Sequence, residues 1–301
     1  MKKQSLVAGL AGLSILGSGA ATAETVYVLE DVGTSQQLSF FDSDSVGTLS
    51  ERVAITGLNP GQQLLGIDFR PATGQLYGLS SGDAVVTIDI ATGVATRIEP
   101  GFSDSPSGSF YGFDFNPVID KIRIVSNTDT NFVADPDTGD ANIASTTPVF
   151  FAAGDPNETA NPTIVGSAYT NSNAGAQSTQ LYGIDSNLDI LVTQANNAGT
   201  LETVGSLGVD IIDIGEFDIS GATGVAYLAA IANGETESSL YTVDLSTGAL
   251  TLVGIIEEGL TVAGIAVAPG AAQPIPTPAA LPAGLLLLSW VAGRRRKSQE
   301  A

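Results

Sequence analysis

The sequence predicts an all-β protein, and more specifically a five-bladed β-propeller. Short runs rich in Val, Ile, Tyr, Phe and Thr alternate with turns of Gly, Asn, Asp and Pro, and helical periodicity is not apparent. A unit of about 50 residues also recurs along the chain. Both observations are typical of a propeller, in which four-stranded sheets surround a central channel.

The repeat is marked by openings of related sequence that begin with glycine. Residues 66–71 read Gly-Ile-Asp-Phe-Arg-Pro, and residues 112–117 read Gly-Phe-Asp-Phe-Asn-Pro. The openings begin at Gly66, Gly112, Gly166, Gly215 and Gly264, with spacings of 46, 54, 49 and 49 residues. Turns that end in Thr-Gly recur at 72–74, 91–93, 137–139 and 246–248, where glycine supplies the positive φ of a tight hairpin.

The fifth opening, at Gly264, is followed by a single strand. Three strand-like runs near the amino terminus, at 25–29, 37–41 and 52–55, have no opening of their own. Pairing them with the last strand would close the ring and hide both sheet edges. An irregular six-bladed ring that uses residues 140–165 as extra strands is the alternative, and a β-sandwich fits less well because the repeat spans the domain.

These repeats resemble those of the DUF4394 family. The resemblance rests on the segments 65–79, 111–127, 207–210 and 240–248, and it extends over residues 25–269. It implies the same architecture and an exported setting. The family is uncharacterised, so the resemblance implies no activity and no catalytic residues.

The amino terminus has the three parts of a secretory signal peptide. Lys2 and Lys3 precede an apolar region at 6–16, and Ala21 and Ala23 frame a small-x-small cleavage site. We expect residues 1–23 to be removed, which makes Glu24 the first residue of the mature protein. An uncleaved amino-terminal anchor is the alternative.

The carboxy terminus has a second membrane signal. A Pro-rich linker at 270–278 leads into an apolar segment at 279–293 and a basic tail at 294–301, which predicts a cytoplasmic end. The apolar segment is shorter than the roughly 20 residues of a stable span. A plain single-span anchor is nevertheless the alternative to the sorting signal described next.

Five residues at the start of this region resemble the Val-Pro-Leu-Pro-Ala motif of VPLPA-type, PEP-CTERM-class sorting signals. They are Ile275, Pro276, Thr277, Pro278 and Ala279. The resemblance implies recognition and cleavage by an exosortase-type transpeptidase in a Gram-negative envelope. It also implies delivery to the cell surface or the extracellular matrix.

Composition excludes several kinds of chemistry. The chain has no Cys and no His, so disulfides, Cys-His sites and Ser-His-Asp sites are impossible. The domain has five cations, Arg52, Arg70, Arg97, Lys121 and Arg123, whereas 31 acidic residues precede the basic tail. Such a surface repels nucleic acid. It suits either saline surroundings or loose cation binding.

Three aspartates occupy the same place in three repeats. Asp68, Asp114 and Asp218 lie near the blade openings, whereas Ala168 and Ala266 stand at that place in the other two repeats. Because innermost strands line a propeller channel, these carboxylates would converge and could hold Ca²⁺, which prefers oxygen ligands. The alternative is structural, with each Asp capping a turn or accepting amides of the next blade.

A second acidic cluster follows in the second repeat. Asp135, Asp137 and Asp140 form a Ca²⁺-like loop with Asp129 and several Asn nearby, but the segment lacks the Glu that completes an EF-hand. It also coincides with a hairpin turn, where Asp and Gly are expected. The alternating Lys121 and Arg123 could bind an acidic ligand or pair with nearby acids.

Recurrent tyrosines give a further ambiguous signal. Tyr77, Tyr182, Tyr227 and Tyr241 could stack on sugars or pack between blades. No motif identifies a reaction, and no cofactor other than Ca²⁺ is indicated. The sequence therefore predicts an exported, non-catalytic binding, adhesion or structural protein. Its expected partners are signal peptidase, an exosortase-type enzyme and surface polysaccharide or other matrix components. The alternative is a Ca²⁺-dependent extracytoplasmic hydrolase that uses the channel.

Overall fold

The structure, a computed structural model, describes residues 23–103, 105–142 and 146–270, and within them it leaves aside the side chains of residues 142 and 213–215. Every regular element in these ranges is a β-strand, and the strands form five sheets. The predictions of an all-β chain and of a five-bladed propeller are therefore confirmed. No helix in the described ranges has the length and apolar character needed to cross a bilayer.

The strands are short, as the frequent turn residues predict. In chain order they are β1 (Thr25–Val32), β2 (Ser35–Asp42), β3 (Val53–Ala54), β4 (Leu64–Phe69), β5 (Leu76–Ser80), β6 (Ala84–Ile88), β7 (Ala95–Arg97), β8 (Tyr111–Asn116), β9 (Lys121–Ser126), β10 (Asn131–Ala134), β11 (Ala141–Asn142), β12 (Phe150–Phe151), β13 (Ile164–Tyr169), β14 (Leu181–Asp185), β15 (Ile190–Ala195), β16 (Thr200–Ser206), β17 (Ile211–Ile219), β18 (Ala226–Ala232), β19 (Ser239–Val243), β20 (Leu250–Ile255) and β21 (Val262–Val267).

Each sheet forms one blade. The first blade is β4-β5-β6-β7, the second is β8-β9-β10-β11, the third is β13-β14-β15-β16 with β12 added, and the fourth is β17-β18-β19-β20. The innermost strands β4, β8, β13, β17 and β21 each contact the next one around the axis. Apolar side chains from facing blades fill the space between the sheets.

The fifth blade joins the two ends of the domain. Strand β21 pairs antiparallel with β1, so that Val267 lies opposite Val26 and Gly264 opposite Leu29, and β2 and β3 complete the sheet. The predicted ring closure is therefore confirmed. Glu24 extends the closure to the fourth blade, because its buried carboxylate accepts hydrogen bonds from Thr223 Oγ1 (2.8 Å) and Tyr227 Oη (3.1 Å).

The six-bladed alternative is wrong. Of the strands in the 140–165 stretch, β11 is the outer strand of the second blade, and β12 pairs parallel with β16 at the outside of the third. The extra strand therefore widens an existing blade, because it has no innermost strand of its own at the axis.

The structure also corrects the position of the fourth opening. Asp68 lies opposite Tyr77 and Asp218 opposite Tyr227, so these two aspartates are equivalent. Gly66 lies two residues before Asp68, and Glu216 lies two residues before Asp218. Glu216, and not Gly215, therefore occupies the repeated glycine place. A register irregularity precedes this place in the fourth blade, between Ile211 and Gly215, as it does in the first and third blades.

The glycine place is crowded because innermost strands approach closely around the axis. A Cβ atom on Gly112 would lie 2.4 Å from the backbone nitrogen of Ser167 in the third blade. We expect Gly112→Ala to lower the free energy of unfolding by about 1–3 kcal/mol, because the blades must separate to admit the methyl group. Gly254→Ala is the matched control, since its Cβ would lie 3.5 Å from the nearest atom. Equal urea midpoints for the two variants would contradict this account of the packing.

Candidate functional site

Three carboxylates converge at the propeller axis. Asp68 on β4, Asp114 on β8 and Asp218 on β17 are all buried, and each offers an oxygen that lies within 4.8 Å of the other two. The convergence follows from topology, because equivalent residues on innermost strands point into the same central space. The first and second blades are neighbours, whereas the fourth faces them across the ring.

Each aspartate also binds the backbone of the next blade. Asp68 Oδ2 accepts from the amide of Phe115 (2.8 Å), Asp114 Oδ1 from Tyr169 (3.1 Å) and Asp218 Oδ2 from Val267 (2.6 Å). These are the amide contacts that the structural interpretation expects. They leave further carboxylate oxygens for other partners, because a carboxylate has about four acceptor positions. The three aspartates can therefore accept these hydrogen bonds and still bind a Ca²⁺ ion.

Glu216 is a fourth buried carboxyl group that the sequence analysis missed. It stands at the place of the repeated glycines, and Glu216 Oε2 lies 3.1 Å from the point where a Gly66 Cβ would be. The side chain thus extends from the fourth blade across to the first. Its Oε1 atom is buried and has no hydrogen-bond partner among the described residues. Aligning the repeats on Asp instead of Gly would have revealed this residue.

Burial and mutual repulsion favour the protonated forms of these groups. Burial raises the pKa of Asp218 to about 6. The pKa values of Asp68 and Asp114 are raised well above the ordinary range by burial and by neighbouring carboxylates, with Asp218 acting on both. The pKa of Glu216 is also raised, by burial and by the charges of Asp218 and Asp68. The axial cluster, defined as these four residues, therefore holds its protons more tightly than exposed carboxylic acids do when no cation is bound.

A cavity of about 210 Å³ lies beside Glu216, and none of the three aspartates lines it. Its wall contains Glu216 together with Asp31 and the starts of several innermost strands. The rest of the lining combines residues with amide or hydroxyl groups, namely Gln36, Gln63, Ser109, Tyr111 and Thr261, with the apolar residues Leu64, Leu65, Phe110, Val165, Val262 and Ala263. Glu216 is therefore the member of the axial cluster that also lines this cavity.

A family model named "Domain of unknown function (DUF4394)" matches residues 37–266, which is most of the chain. The chain belongs to the DUF4394 family. The family resemblance in the repeats is thereby confirmed. No curated protein matches this DUF4394 chain.

The solved structures that match this chain are distant in sequence. They include Kuenenia stuttgartiensis hydrazine synthase (14% identity, TM-score 0.38) and a protein from Lactobacillus plantarum (16%, 0.42). A protein of unknown function from Bacteroides thetaiotaomicron is also similar (14%, 0.45). The matches cover 65%, 78% and 77% of this chain and 49%, 67% and 58% of those chains. The DUF4394 chain thus spans about half of the first of these proteins.

The second acidic cluster of this DUF4394 domain has other contacts. Lys121 Nζ lies 2.5 Å from Asp135 Oδ2, and Arg70 Nη1 lies 2.6 Å from Asp137 Oδ1. Asp135 Oδ1 also accepts two turn amides, and Asp140 accepts from the Thr138 hydroxyl. A metal at Asp135, Asp137 and Asp140 stays a prediction, and the contacts favour a hairpin turn held by ion pairs.

The cations and tyrosines of the DUF4394 domain have structural partners. Arg70 and Lys121 pair with acids, as expected, but Arg123 is buried and binds the Asn131 and Asn197 side chains instead.

The Tyr77 ring packs edge-on against Phe115 of the next blade, with 5.1 Å between the ring centroids. Tyr77, Tyr227 and Tyr241 are buried, and Tyr182 packs against a core cluster, which fits inter-blade packing better than sugar stacking.

The predicted processing sites lie at or beyond the edge of the described residues. Ala21 and the sorting motif at 275–279 are outside them, so both stay predictions. Ala23 is exposed, whereas Glu24 is buried in the fold. The last backbone hydrogen bond of the fifth blade runs from the amide of Ala268 to the carbonyl of Thr25. The folded ring therefore begins where the predicted signal peptide ends.

Proposed function

We propose that this chain is an exported, non-catalytic binding or structural propeller, sorted by an exosortase-type system to the cell surface or the extracellular matrix. The observation that carries the proposal is the closure of the ring between Glu24 and Ala268. Both predicted processing segments lie outside this closed unit. Their removal would therefore leave every strand pairing of the propeller in place.

The contacts of the charged residues favour binding over catalysis. Asp68, Asp114 and Asp218 bind amides of neighbouring blades, and four of the five cations in the described ranges form ion pairs. The acidic surface disfavours anionic polysaccharides. The amide and hydroxyl groups of the axial cavity suit a neutral or cationic matrix component instead.

The intact mass of the native protein, measured in envelope and medium fractions, tests this proposal. We expect a species that begins at Glu24 and ends near Pro278. A species that retains residues 294–301 would contradict sorting by tail removal and would indicate a membrane-anchored propeller. A species that retains residues 1–23 would contradict cleavage of the signal peptide.

A Ca²⁺-dependent hydrolase is the second candidate. One observation favours it, namely that Glu216 has a raised pKa and lines the axial cavity, where a carboxylic acid could donate a proton. A panel of esters and lactones, tested with wild-type protein in Ca²⁺ and with Glu216→Gln, distinguishes the two candidates. Turnover that is lost in the variant would support the hydrolase, and no turnover would support the binding role.

A further inference from the structure

The axial cluster differs from an ordinary set of surface acids because its fourth member replaces a glycine. Gly66, Gly112, Gly166 and Gly264 have no side chain at this place, whereas Glu216 extends a carboxylate from it. Glu216 Oε2 lies 3.1 Å from the Cβ position of Gly66 and 3.5 Å from that of Gly264. The side chain thus reaches the faces of the first and fifth blades.

No cation in the described ranges forms an ion pair with this cluster, although Arg123 on β9 lies opposite Asp114 on β8. Of the five cations in the described ranges, Arg52, Arg70, Arg97 and Lys121 form ion pairs with other acids. The fifth, Arg123, donates to Asn131, Asn197 and Tyr169. Buried carboxylates of like charge repel one another and need protons or a bound cation to coexist.

The unpartnered Oε1 atom of Glu216 indicates which of the two, protons or a bound cation, compensates the charge of the cluster. Glu216 is 3% exposed, and its Oε1 has no hydrogen-bond partner among the described residues. A network of shared protons would engage such an oxygen as donor or acceptor, and leaving it unpaired costs free energy. A coordinating ion would engage it without any hydrogen bond.

The dimensions and chemistry of the cluster fit a hard cation. Ca²⁺ binds oxygens at roughly 2.3–2.6 Å, so two of its ligands on opposite sides are about 5 Å apart. The aspartate oxygens lie within 4.8 Å of one another. The chain has no Cys or His, so softer metals find no preferred ligands. The cavity that Glu216 lines also has the carboxylate residue Asp31 on its wall.

We propose that Asp68, Asp114, Asp218 and Glu216 bind one Ca²⁺ ion on the propeller axis. The ion ties the first, second and fourth blades together, which the amide contacts between adjacent blades do not do. Glu216 is the ligand that reaches across the ring. This proposal does not depend on export or sorting, and a failure of either proposal leaves the other standing.

Metal analysis and thermal unfolding of the purified mature protein test this site, with CaCl₂ or EDTA as the probes. We expect one Ca²⁺ per chain and a melting temperature that rises by roughly 8–16 °C when Ca²⁺ exceeds its Kd about a thousandfold. Glu216→Gln should weaken the affinity by about tenfold or more, because it removes one charged ligand. Glu258→Gln, which changes an exposed acid, should bind like wild type.

The direction in which Glu216→Gln changes the melting temperature in EDTA distinguishes a bound ion from shared protons. With an ion site, Glu216→Gln should melt higher than wild type in EDTA, because repulsion is relieved, and lower than wild type in Ca²⁺. Wild type that contains no Ca²⁺ and does not respond to it overturns the proposal. A Ca²⁺ response of Glu216→Gln equal to that of wild type overturns the role of Glu216. Asp68→Asn, whose side-chain oxygen can still accept the Phe115 amide, should reproduce the Glu216→Gln pattern.

Discussion

Arg123→Ala is expected to lower the free energy of unfolding by about 2–4 kcal/mol. The guanidinium is fully buried between the second and third blades. It donates to Asn131 Oδ1 (2.8 Å), Asn197 Oδ1 (2.7 Å) and Tyr169 Oη (3.3 Å). Truncation removes a donor from the buried Asn131 oxygen and from the exposed Asn197, and it opens a cavity where the side chain was. Urea unfolding followed by far-ultraviolet circular dichroism measures the change.

Two further variants identify the cause of this loss. Arg123→Lys keeps the charge but can reach fewer acceptors, so we expect an intermediate loss. Arg97→Ala is the matched control, because its guanidinium is partly exposed and its pairing with Glu99 lies at the surface. Its loss should be at most about 1 kcal/mol. A loss for Arg123→Ala as small as that of the control would contradict the proposed role in joining the blades.

Much of the fold could be predicted from the sequence because its signals are local. Spacing between openings reflects the length of one four-stranded unit, and the Thr-Gly turns mark the ends of strands. Ring closure could be predicted by counting strands, because the last opening is followed by a single strand and three strand-like runs near the amino terminus have no opening. Unpaired edge strands are unfavourable, so pairing the last strand with the amino-terminal runs protects both ends of the domain. Strands β1, β2 and β21 form that pairing.

The fourth carboxylate was missed because the repeats were aligned on their glycines. Gly215 looks like the start of an opening, but the pairing of Asp218 with Tyr227 places Glu216 at the repeated glycine position. Strand register depends on pairing with β18, which sequence similarity alone does not determine. The convergence of Asp68, Asp114 and Asp218, by contrast, followed from their shared place in the repeat.

Arg123 illustrates a second limit. Its alternation with Lys121 correctly predicts that both side chains share one face of β9, and Lys121 pairs with Asp135 as expected. The partners of Arg123 lie at Asn131 and Asn197, and the latter is 74 residues away in the chain. Only the packing of the third blade on the second brings Asn197 to the guanidinium. Charge complementarity therefore predicted the exposed pair and failed for the buried one.

The metal-free protein is expected to become less stable as the pH rises from about 4 to 6. The pKa of Asp218 is about 6 in the fold against 3.8 as its ordinary value, so the folded state holds its proton more tightly than the unfolded state. The stabilisation is complete below pH 3.8 and is lost as the pH rises through 6. Asp218 alone contributes a decline of about 1.4 kcal/mol per pH unit, or about 3 kcal/mol in total.

Other groups limit this trend at acid pH and in the presence of Ca²⁺. The Arg70 guanidinium lowers the pKa of Asp137, whose stabilising contribution is present above its ordinary pKa and is lost at lower pH. With Ca²⁺ bound, protons compete with the ion, so stability should instead fall as the pH is lowered. Urea midpoints at about pH 4.5 and 7.5, in EDTA and in CaCl₂, measure both slopes. Asp218→Asn should reduce the loss of stability with rising pH that the wild type shows in EDTA. A metal-free wild type that is more stable at about pH 7.5 than at about pH 4.5 would contradict the destabilisation by buried carboxylates.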